Sequence, residues 1–239
     1  FSNRNPNTPW HDQRVRQAMA FAIDRKEIVD KIFMGIPNLW AFLAPYELGY
    51  DPDLKPYPYD PKRAKELLAE AGYPNGFDLK FYWPITGRWP MAREMAETVA
   101  SYFNAIGIRT KLIGQEWGVH YSMVRASKGP KAEFVGIWGG ASGAVDPTFF
   151  LDMFFSSDGG MSVHYNPEFD KIVAKAKATM DNAKRGELIK KAVRMSREDV
   201  ASIPIYSTIA IYATKENIDF RPTQKYLMDL ILVKDITIK

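Results

Sequence analysis

Residues 77–114, FDLKFYWPITGRWPMAREMAETVASYFNAIGIRTKLIG, decide the fold. Apolar and polar residues alternate in FDLKFYW at 77–83, which predicts a strand, and IRTKLIG at 108–114 predicts a second strand. Between them, MAREMAETVASYFNAIG at 91–107 has the apolar spacing of an amphipathic helix. A strand, a helix and a strand in this order predict a right-handed crossover between two parallel strands of an α/β layer.

The preceding segment, YDPKRAKELLAEAGYPNGF at 59–77, predicts a helix with both ends marked. Asp60 is suited to the N-cap and Pro61 to the first helical position. Gly72 is suited to the C-terminal end, where a left-handed backbone conformation is common. This helix would lead directly into the first strand of the crossover.

Residues 12–33 predict two consecutive helices, because Asp24 and Glu27 have the spacing of a capping box within the apolar pattern. The Pro-rich, aromatic segment 35–59 predicts a long irregular excursion. The further predicted elements are helices at 119–128, 148–155, 166–180 and 182–201, strands at 134–138, 227–233 and 236–238, and a strand or hairpin at 203–214. The fold class is therefore α/β, a mixed sheet with flanking helices.

Composition argues against several function classes. The 32 Lys and Arg and 28 Asp and Glu residues give a formal net charge of +4 with the two signs interleaved, so neither a nucleic-acid partner nor a membrane surface is favoured. The absence of cysteine excludes disulfides, thiolate metal sites and a cysteine nucleophile. His11, His120 and His164 lack metal-site spacing, so we expect no metal and no other cofactor.

The first ten residues, FSNRNPNTPW, lack the pattern of a signal peptide and have the Asn and Pro content of an internal linker. No apolar run approaches the ~18–20 residues that span a bilayer. We therefore hypothesise that this sequence is the C-terminal part of a longer protein.

Local motifs for catalysis or phosphate binding are missing from the sequence. No G-x-S-x-G elbow occurs, although a triad that assembles only in space stays open. The glycine-rich residues 139–143 are not followed by the Lys and Ser or Thr of a phosphate loop, and the charge of Asp146 would repel phosphate. Glu116, Asp146 and Asp152 are compatible with the carboxylate pair of a carbohydrate hydrolase, and equally with helix-start and surface residues.

Two tryptophans stand at the ends of predicted strands. Trp117 follows one strand and Trp138 ends the next, which is where an α/β sheet opens its ligand crevice. Ordinary core or rim packing is the alternative interpretation of both residues. Gly139 and Gly140 follow Trp138 and leave backbone amide and carbonyl groups accessible to an extended ligand, which favours binding.

Several stretches of the chain, taken in order, carry a family resemblance. They are DQRVRQAMAFAIDRKEIV, LGYDPDLKPYPYDPKRAKELLAEAGYPNGF, AETVASYFNAIGI, EW, GIWGG, YNPEFDKI and ASIPIY. Over nearly its whole length the chain resembles the C-terminal lobe of the peptide/nickel/oligosaccharide-type (family 5) solute-binding proteins of ABC importers. Each stretch is short, and their ordered co-occurrence makes the resemblance specific.

The resemblance implies one lobe of a type II periplasmic-binding-protein-like fold. Residues 1–216 would form the C-terminal ligand-binding lobe, and residues 217–239 a tail that returns toward an absent N-terminal lobe. In this family two lobes close on a ligand and the closed form is presented to a membrane permease, so the implied activity is capture and delivery, not catalysis. The implied partners are a small-molecule ligand, the ABC permease and the missing lobe. The protein is expected to be a monomer in the periplasm or outside the cell, with membrane anchoring of the full-length form left open.

The candidate ligand-binding residues are Trp117, Trp138, Gly139, Gly140, Asp146, Tyr121 and Trp40. In the family, the tryptophans of EW and GIWGG line the cleft, and they correspond to Trp117 and Trp138. Peptide-binding members carry Asp three residues after the second tryptophan, as the partner of a free α-amino group, and here that position is Ala141.

The ligand class therefore stays open between an oligopeptide-like molecule and an oligosaccharide stacked on the tryptophans. If the ligand does carry an amine, Asp146 or a carboxylate of the other lobe is the alternative partner. An interaction scaffold, as a third class, would instead require a large exposed apolar patch.

Overall fold

The computed structural model of the chain describes residues 1–36, 38–39, 42–85, 89–139, 146–207, 213–220 and 236–238. A 3-10 turn at Pro9–His11 precedes the longer elements. The helices are α1 (Gln13–Phe21), α2 (Arg25–Ile32), α3 (Pro61–Glu70), α4 (Ala92–Ala105), α5 (Trp117–Ala126), α6 (Pro147–Phe155), α7 (Pro167–Lys177) and α8 (Asn182–Glu198). The strands are β1 (Asn38–Leu39), β2 (Asp78–Pro84), β3 (Arg109–Gln115), β4 (Tyr206–Ser207), β5 (Ile218–Phe220) and β6 (Ile236–Ile238).

The crossover predicted from residues 77–114 is confirmed. β2 and β3 pair in parallel, in a register that runs from Asp78 opposite Arg109 to Pro84 opposite Gln115. α4 connects the two strands and contacts both of them. Its buried face consists of Ala92, Met95, Ala96, Val99, Ala100 and Phe103.

Residues 134–138 lie along the edge of β2 that β3 does not occupy. The contact is one parallel bridge, in which Tyr82 N–H donates to Val135 O and Ile137 N–H donates to Tyr82 O, each at 2.9 Å. The strand predicted at 134–138 is therefore wrong in extent, because pairing is limited to this bridge. A Cβ at Gly136 would lie 2.5 Å from Tyr82 O, so the close approach of the two backbones requires glycine.

The predicted helix starts are confirmed by their caps. Side-chain oxygens of Asp24 and Asp60 accept hydrogen bonds of 2.9 Å from the backbone N–H groups of Glu27 and Arg63. Residues 12–33 thus form two helices, as the capping box predicts. The Glu27 carboxylate accepts a bond of 2.7 Å from the Tyr102 hydroxyl, which ties α2 to α4.

Two clusters of buried apolar residues form the interior. The first lies between α1, α3, α4 and the β2–β3 pair and includes Val135 and Ile137. The second joins α6, α7 and α8 with Phe42 and Leu43. Because Val135 and Ile137 are only 2% and 8% exposed, they hold segment 134–138 in the first cluster and leave Trp138 at its edge.

Antiparallel pairing occurs in two short sheets, β1 with β4 and β5 with β6. β1 places a strand within segment 35–59, which the sequence predicts to be irregular. The predicted strand at 236–238 is confirmed, and the one at 203–214 is confirmed at Tyr206–Ser207, whereas 227–233 lies outside the described residues. The α/β class is confirmed, with both parallel and antiparallel pairs present. Among the helices of the described ranges, none has the length and apolar character needed to cross a bilayer.

Gly76 and Gly107 set the entry into the two crossover strands. Gly76 has φ +68°, and a Cβ there would lie 1.8 Å from Gly107 O. We expect Gly76→Ala to lower the free energy of unfolding by an amount on the order of 1–3 kcal/mol beyond the matched variant Gly72→Ala. Gly72 has φ +92° but open space around its Cβ position, so that variant isolates the cost of a left-handed backbone. Urea denaturation of both variants tests this, and equal midpoints would contradict it.

Candidate functional site

Trp117 and Trp138 come together at the carboxyl end of the parallel strands. Trp117 is the first residue of α5, two positions after β3 ends, and Trp138 follows the bridge between Gly136 and Tyr82. Their ring centroids are 5.4 Å apart and the ring planes differ by 22°, so the indoles are stacked. Both side chains are partly exposed. The two residues that the sequence singles out thus form one aromatic surface.

Trp89 is a third member of this surface, and sequence reasoning missed it. Its ring meets Trp117 edge-on at 5.4 Å and 84°, and Trp138 at 5.8 Å and 67°. Trp89 lies in the connection between β2 and α4, so it too follows the carboxyl end of a parallel strand. Trp117 was singled out because it follows a strand, and the same criterion applied to the strand at 77–83 could have identified Trp89. We call Trp89, Trp117 and Trp138 the tryptophan wall.

Gly139 makes room for the wall. A Cβ at this position would lie 2.3 Å from Trp89 Nε1 and 2.6 Å from Trp89 Cε2. The glycine therefore serves the packing of Trp89 in addition to the backbone accessibility that the sequence predicts. Gly140, Ala141 and Trp40 lie outside the described residues.

Tyr121 lies beside the wall, one helical turn after Trp117. Its ring centroid is 5.8 Å from that of Trp117 and 6.3 Å from that of Trp138. The Arg125 guanidinium lies 5.8 Å from the Tyr121 ring centroid and within 3.4 Å of its hydroxyl oxygen. A positive charge therefore borders the aromatic surface.

Trp138 also carries an unsatisfied donor. Its indole Nε1–H is buried and has no hydrogen-bond partner within the part of the chain that the structure describes. A buried donor without an acceptor costs on the order of 1–3 kcal/mol. A buried water molecule that accepted this bond would recover that energy.

His120 lies behind the wall and is fully buried. Its ring is nearly parallel to that of Trp138, at 5.9 Å and 18°. Its Nε2 lies 2.9 Å from Ile137 O and its Nδ1 lies 3.0 Å from Gln115 Oε1. Burial lowers the pKa of His120, and the bond to the Ile137 carbonyl opposes that effect.

Glu116 and Asp146 are both helix caps. A Glu116 oxygen accepts from Gly118 N–H at 2.7 Å, at the start of α5. An Asp146 oxygen accepts from Thr148 N–H at 2.9 Å, at the start of α6, and the carboxylate forms an ion pair with Arg185 of α8. Asp146 is a predicted ligand-binding residue, and its carboxylate is bonded to the start of α6 and to Arg185.

Asp152 takes the surface role that the sequence allows for it. Its carboxylate pairs with Lys177 at 2.7 Å. The pair lines a surface concavity of about 560 Å³ between α6 and α7, together with Phe149 and Met153. None of the residues that line that concavity belongs to the tryptophan wall. Ligand sites are lined mainly by apolar and aromatic side chains, which favours the wall as the binding surface.

A sequence model described as bacterial extracellular solute-binding proteins, family 5 Middle, matches residues 1–162. The dipeptide-binding protein of Escherichia coli (strain K12) is 32% identical over 216 residues, which are 87% of this chain and 40% of the relative. Heme-binding protein A of Haemophilus influenzae is 30% identical over 84% of this chain and 37% of its own length. This chain thus spans well under half of the length of these relatives.

Solved structures of solute-binding proteins are also similar to this chain. A dipeptide-binding protein from Pseudoalteromonas sp. SM9913, in complex with Met-Leu, has a TM-score of 0.81 and 26% identity, and the match covers 100% of this chain and 47% of that one. HbpA2 of Haemophilus parasuis has a TM-score of 0.77 and 31% identity, with coverage of 84% and 41%. The predicted lobe of a periplasmic-binding-protein fold is therefore confirmed.

We expect Gly139→Ala to displace Trp89 from the wall, because the added methyl group would overlap the indole. The free energy of unfolding should change by less than about 1 kcal/mol, since Trp89 is partly exposed. The measurements are near-UV circular dichroism and the indole N–H signals in NMR spectra. The matched control is Gly129→Ala, where a Cβ meets nothing within 4 Å. Spectra of Gly139→Ala that match those of the control would contradict the assignment.

Proposed function

This chain belongs to the bacterial extracellular solute-binding proteins of family 5, and from that premise we propose that it supplies one wall of the ligand cleft of an ABC importer's capture protein. The tryptophan wall is the observation that carries the proposal. Three indoles meet at the carboxyl end of parallel strands, with their rings partly exposed. This is the edge at which open α/β sheets bind ligands.

The proposed ligand is an extended, oligopeptide-like molecule. Relatives named for di- and tripeptides support this class. The wall offers partly exposed aromatic faces, which suit the apolar side chains of an extended peptide. Ala141 stands where peptide-binding members carry the amine partner, so we propose that an amine, if present, is held elsewhere.

An oligosaccharide is the second candidate ligand within the same family. The specific observation in its favour is the stacking of Trp117 on Trp138 with a plane difference of 22°. Nearly parallel indoles form a flat apolar surface, which matches the apolar C–H face of a pyranose ring.

We propose binding without chemical change. The hydrolase alternative needs one carboxyl group free to act as an acid and another free to act as a base or nucleophile. Glu116 is engaged at the start of α5, and Asp146 is engaged with both the start of α6 and Arg185. Known members of the family are binding proteins, which supports the same conclusion.

We further propose that residues 1–216 form the C-terminal lobe and that residues 217–239 return toward the second lobe. The antiparallel pairing of β5 with β6 supports only the treatment of the tail as a unit, because it joins the two ends of that tail. The partners would be the second lobe and the membrane permease. Proteins of this family are extracellular, in agreement with the predicted periplasmic or extracellular location.

Trp138→Ala should remove most of the ligand-induced stabilisation in a full-length form that contains both lobes. At 100-fold excess over the dissociation constant, a ligand stabilises the native state by about 2–3 kcal/mol. The measurement is a thermal-shift series with di- to pentapeptides and with oligosaccharides, applied to both proteins. Removing a partly exposed indole should leave the melting temperature without ligand little changed.

Trp83→Ala is the matched control, because Trp83 is also a partly buried tryptophan of the β2 region but packs against the first core. It should keep the ligand-induced shift even if the protein is less stable. A shift that persists in Trp138→Ala would show that this residue only packs.

This chain alone should bind the same ligands weakly or not at all, and micromolar binding in titration calorimetry would contradict the two-lobe arrangement.

A further inference from the structure

His120 connects three segments that converge behind the tryptophan wall. It lies on α5, and its backbone N–H donates to Glu116 O at 2.9 Å. Its Nδ1 faces Gln115 at the end of β3, and its Nε2 faces the carbonyl oxygen of Ile137. Trp117 directly follows Glu116, and Trp138 directly follows Ile137. Each tryptophan is therefore adjacent in sequence to a residue that His120 contacts.

The ring also packs directly on the wall. Its centroid is 5.9 Å from that of Trp138 and 6.4 Å from that of Trp117. On its other side, the Phe134 ring meets it edge-on at 5.7 Å. Because the imidazole is fully buried and the two indoles are partly exposed, His120 can set their positions without contacting a ligand.

The hydrogen bonds of the ring depend on its protonation state. Gln115 Oε1 and Ile137 O are both acceptors, and they face the two ring nitrogens at 3.0 Å and 2.9 Å. An imidazolium has two N–H donors and satisfies both acceptors, whereas a neutral imidazole has only one. With Nε2–H bonded to Ile137, a neutral ring needs a donor at Nδ1.

Gln115 can supply that donor if its amide group turns by half a rotation. In the arrangement described, Gln115 Nε2 lies 3.2 Å from Met123 Sδ and Oε1 faces the imidazole. The half-turn exchanges the two, so that the amide N–H donates to Nδ1. Two discrete arrangements of Gln115 therefore correspond to the two protonation states of His120.

Few charges surround the imidazole. The titratable residues nearest to it in sequence are Glu116, whose carboxylate caps α5, and Tyr121, whose ring lies beside Trp138. β3 contributes the neutral Gln115, and segment 134–138 contributes apolar and aromatic side chains. Burial lowers the pKa of His120, and the bond to the Ile137 carbonyl acts in the opposite direction. Among the described residues, no carboxylate stabilises the protonated ring.

We propose that His120 is a positioning residue for Trp117 and Trp138, and that its protonation, coupled to the half-turn of the Gln115 amide, makes the wall respond to pH. The neutral ring is the form that the buried site favours. Since the pKa is lowered in the folded chain, this contribution to stability is complete above the unfolded value of about 6.5. It is lost as the pH falls through the folded pKa.

Protonation of His120 is also linked to ligand affinity, and this step alone rests on the proposed function. A ligand that covers the wall removes water from the neighbourhood of the imidazole and so disfavours its charged form. Affinity should then be highest above the pKa of His120 and fall as the pH decreases. Each unit by which the ligand lowers that pKa corresponds to about a tenfold loss of affinity at low pH.

The test uses this chain without any ligand, so its failure can be distinguished from failure of the proposed function. NMR titration from pH 8 to pH 5 follows the His120 Cε1–H signal and the indole N–H signals of Trp117 and Trp138, assigned with Trp117→Phe and Trp138→Phe. We expect all three signals to titrate with one midpoint below 6.5. Indole signals that stay constant while His120 titrates would overturn the proposal.

Variants separate the proposed coupling from a purely structural role. His120→Gln keeps an amide donor but cannot titrate, so the indole response should disappear. Gln115→Met removes both the acceptor of the imidazolium and the amide donor of the neutral ring while keeping the side-chain length. Because a hydrogen bond from a charged ring is stronger than one to a neutral ring, the imidazolium loses more, and the midpoint of the indole response should move to lower pH by about half a unit or more. This second variant keeps the test decisive if His120→Gln does not fold.

His164→Gln is the matched control, because His164 is also buried and its pKa is also lowered by burial. His164 Nε2 bonds to Asp199 at 2.7 Å, and none of the ring contacts of the wall involves it. The indole response should keep its midpoint in this variant. Loss of the response in His164→Gln, or its persistence in His120→Gln, would refute the assignment to His120.

Discussion

The parallel bridge between Tyr82 and Gly136 is the constraint on which the site depends. It places segment 134–138 on one edge of β2, while β3 occupies the other edge. Both neighbours run parallel to β2, so the residues that follow them leave the sheet on the same side. That shared direction brings Trp138 to within 5.4 Å of Trp117. A side chain at Gly136 would collide with Tyr82 O and separate them.

The candidate carboxylates of the sequence serve the architecture first. Carboxylates of Glu116 and Asp146 cap helices, and Asp146 also neutralises Arg185. The tryptophan wall presents partly exposed indoles, with Arg125 next to Tyr121. A surface of this kind binds through dispersion and desolvation more than through fixed charges. This character supports the proposed role in ligand capture.

Local patterns were sufficient wherever neighbours in sequence are also neighbours in space. Asp24 and Asp60 predicted helix starts because an N-cap bonds to a backbone group only a few positions away. The alternation of residues 77–83 and the spacing of 91–107 predicted a strand and a helix from local periodicity, and the crossover then follows from the order of the elements along the chain. The strand at 134–138 was predicted too long, because an apolar run does not report how many backbone bonds a neighbouring strand will offer.

Periodicity and short spacings along the chain were enough to predict the α/β class, the crossover, the helix caps and the two strand-end tryptophans. Three contacts are visible only in the folded chain: Trp89 completes the wall, Arg185 pairs with Asp146, and His120 lies behind Trp138. The physical reason is that these contacts join segments far apart in the chain. Their distances depend on how the sheet and helices pack, which no local pattern of residues contains.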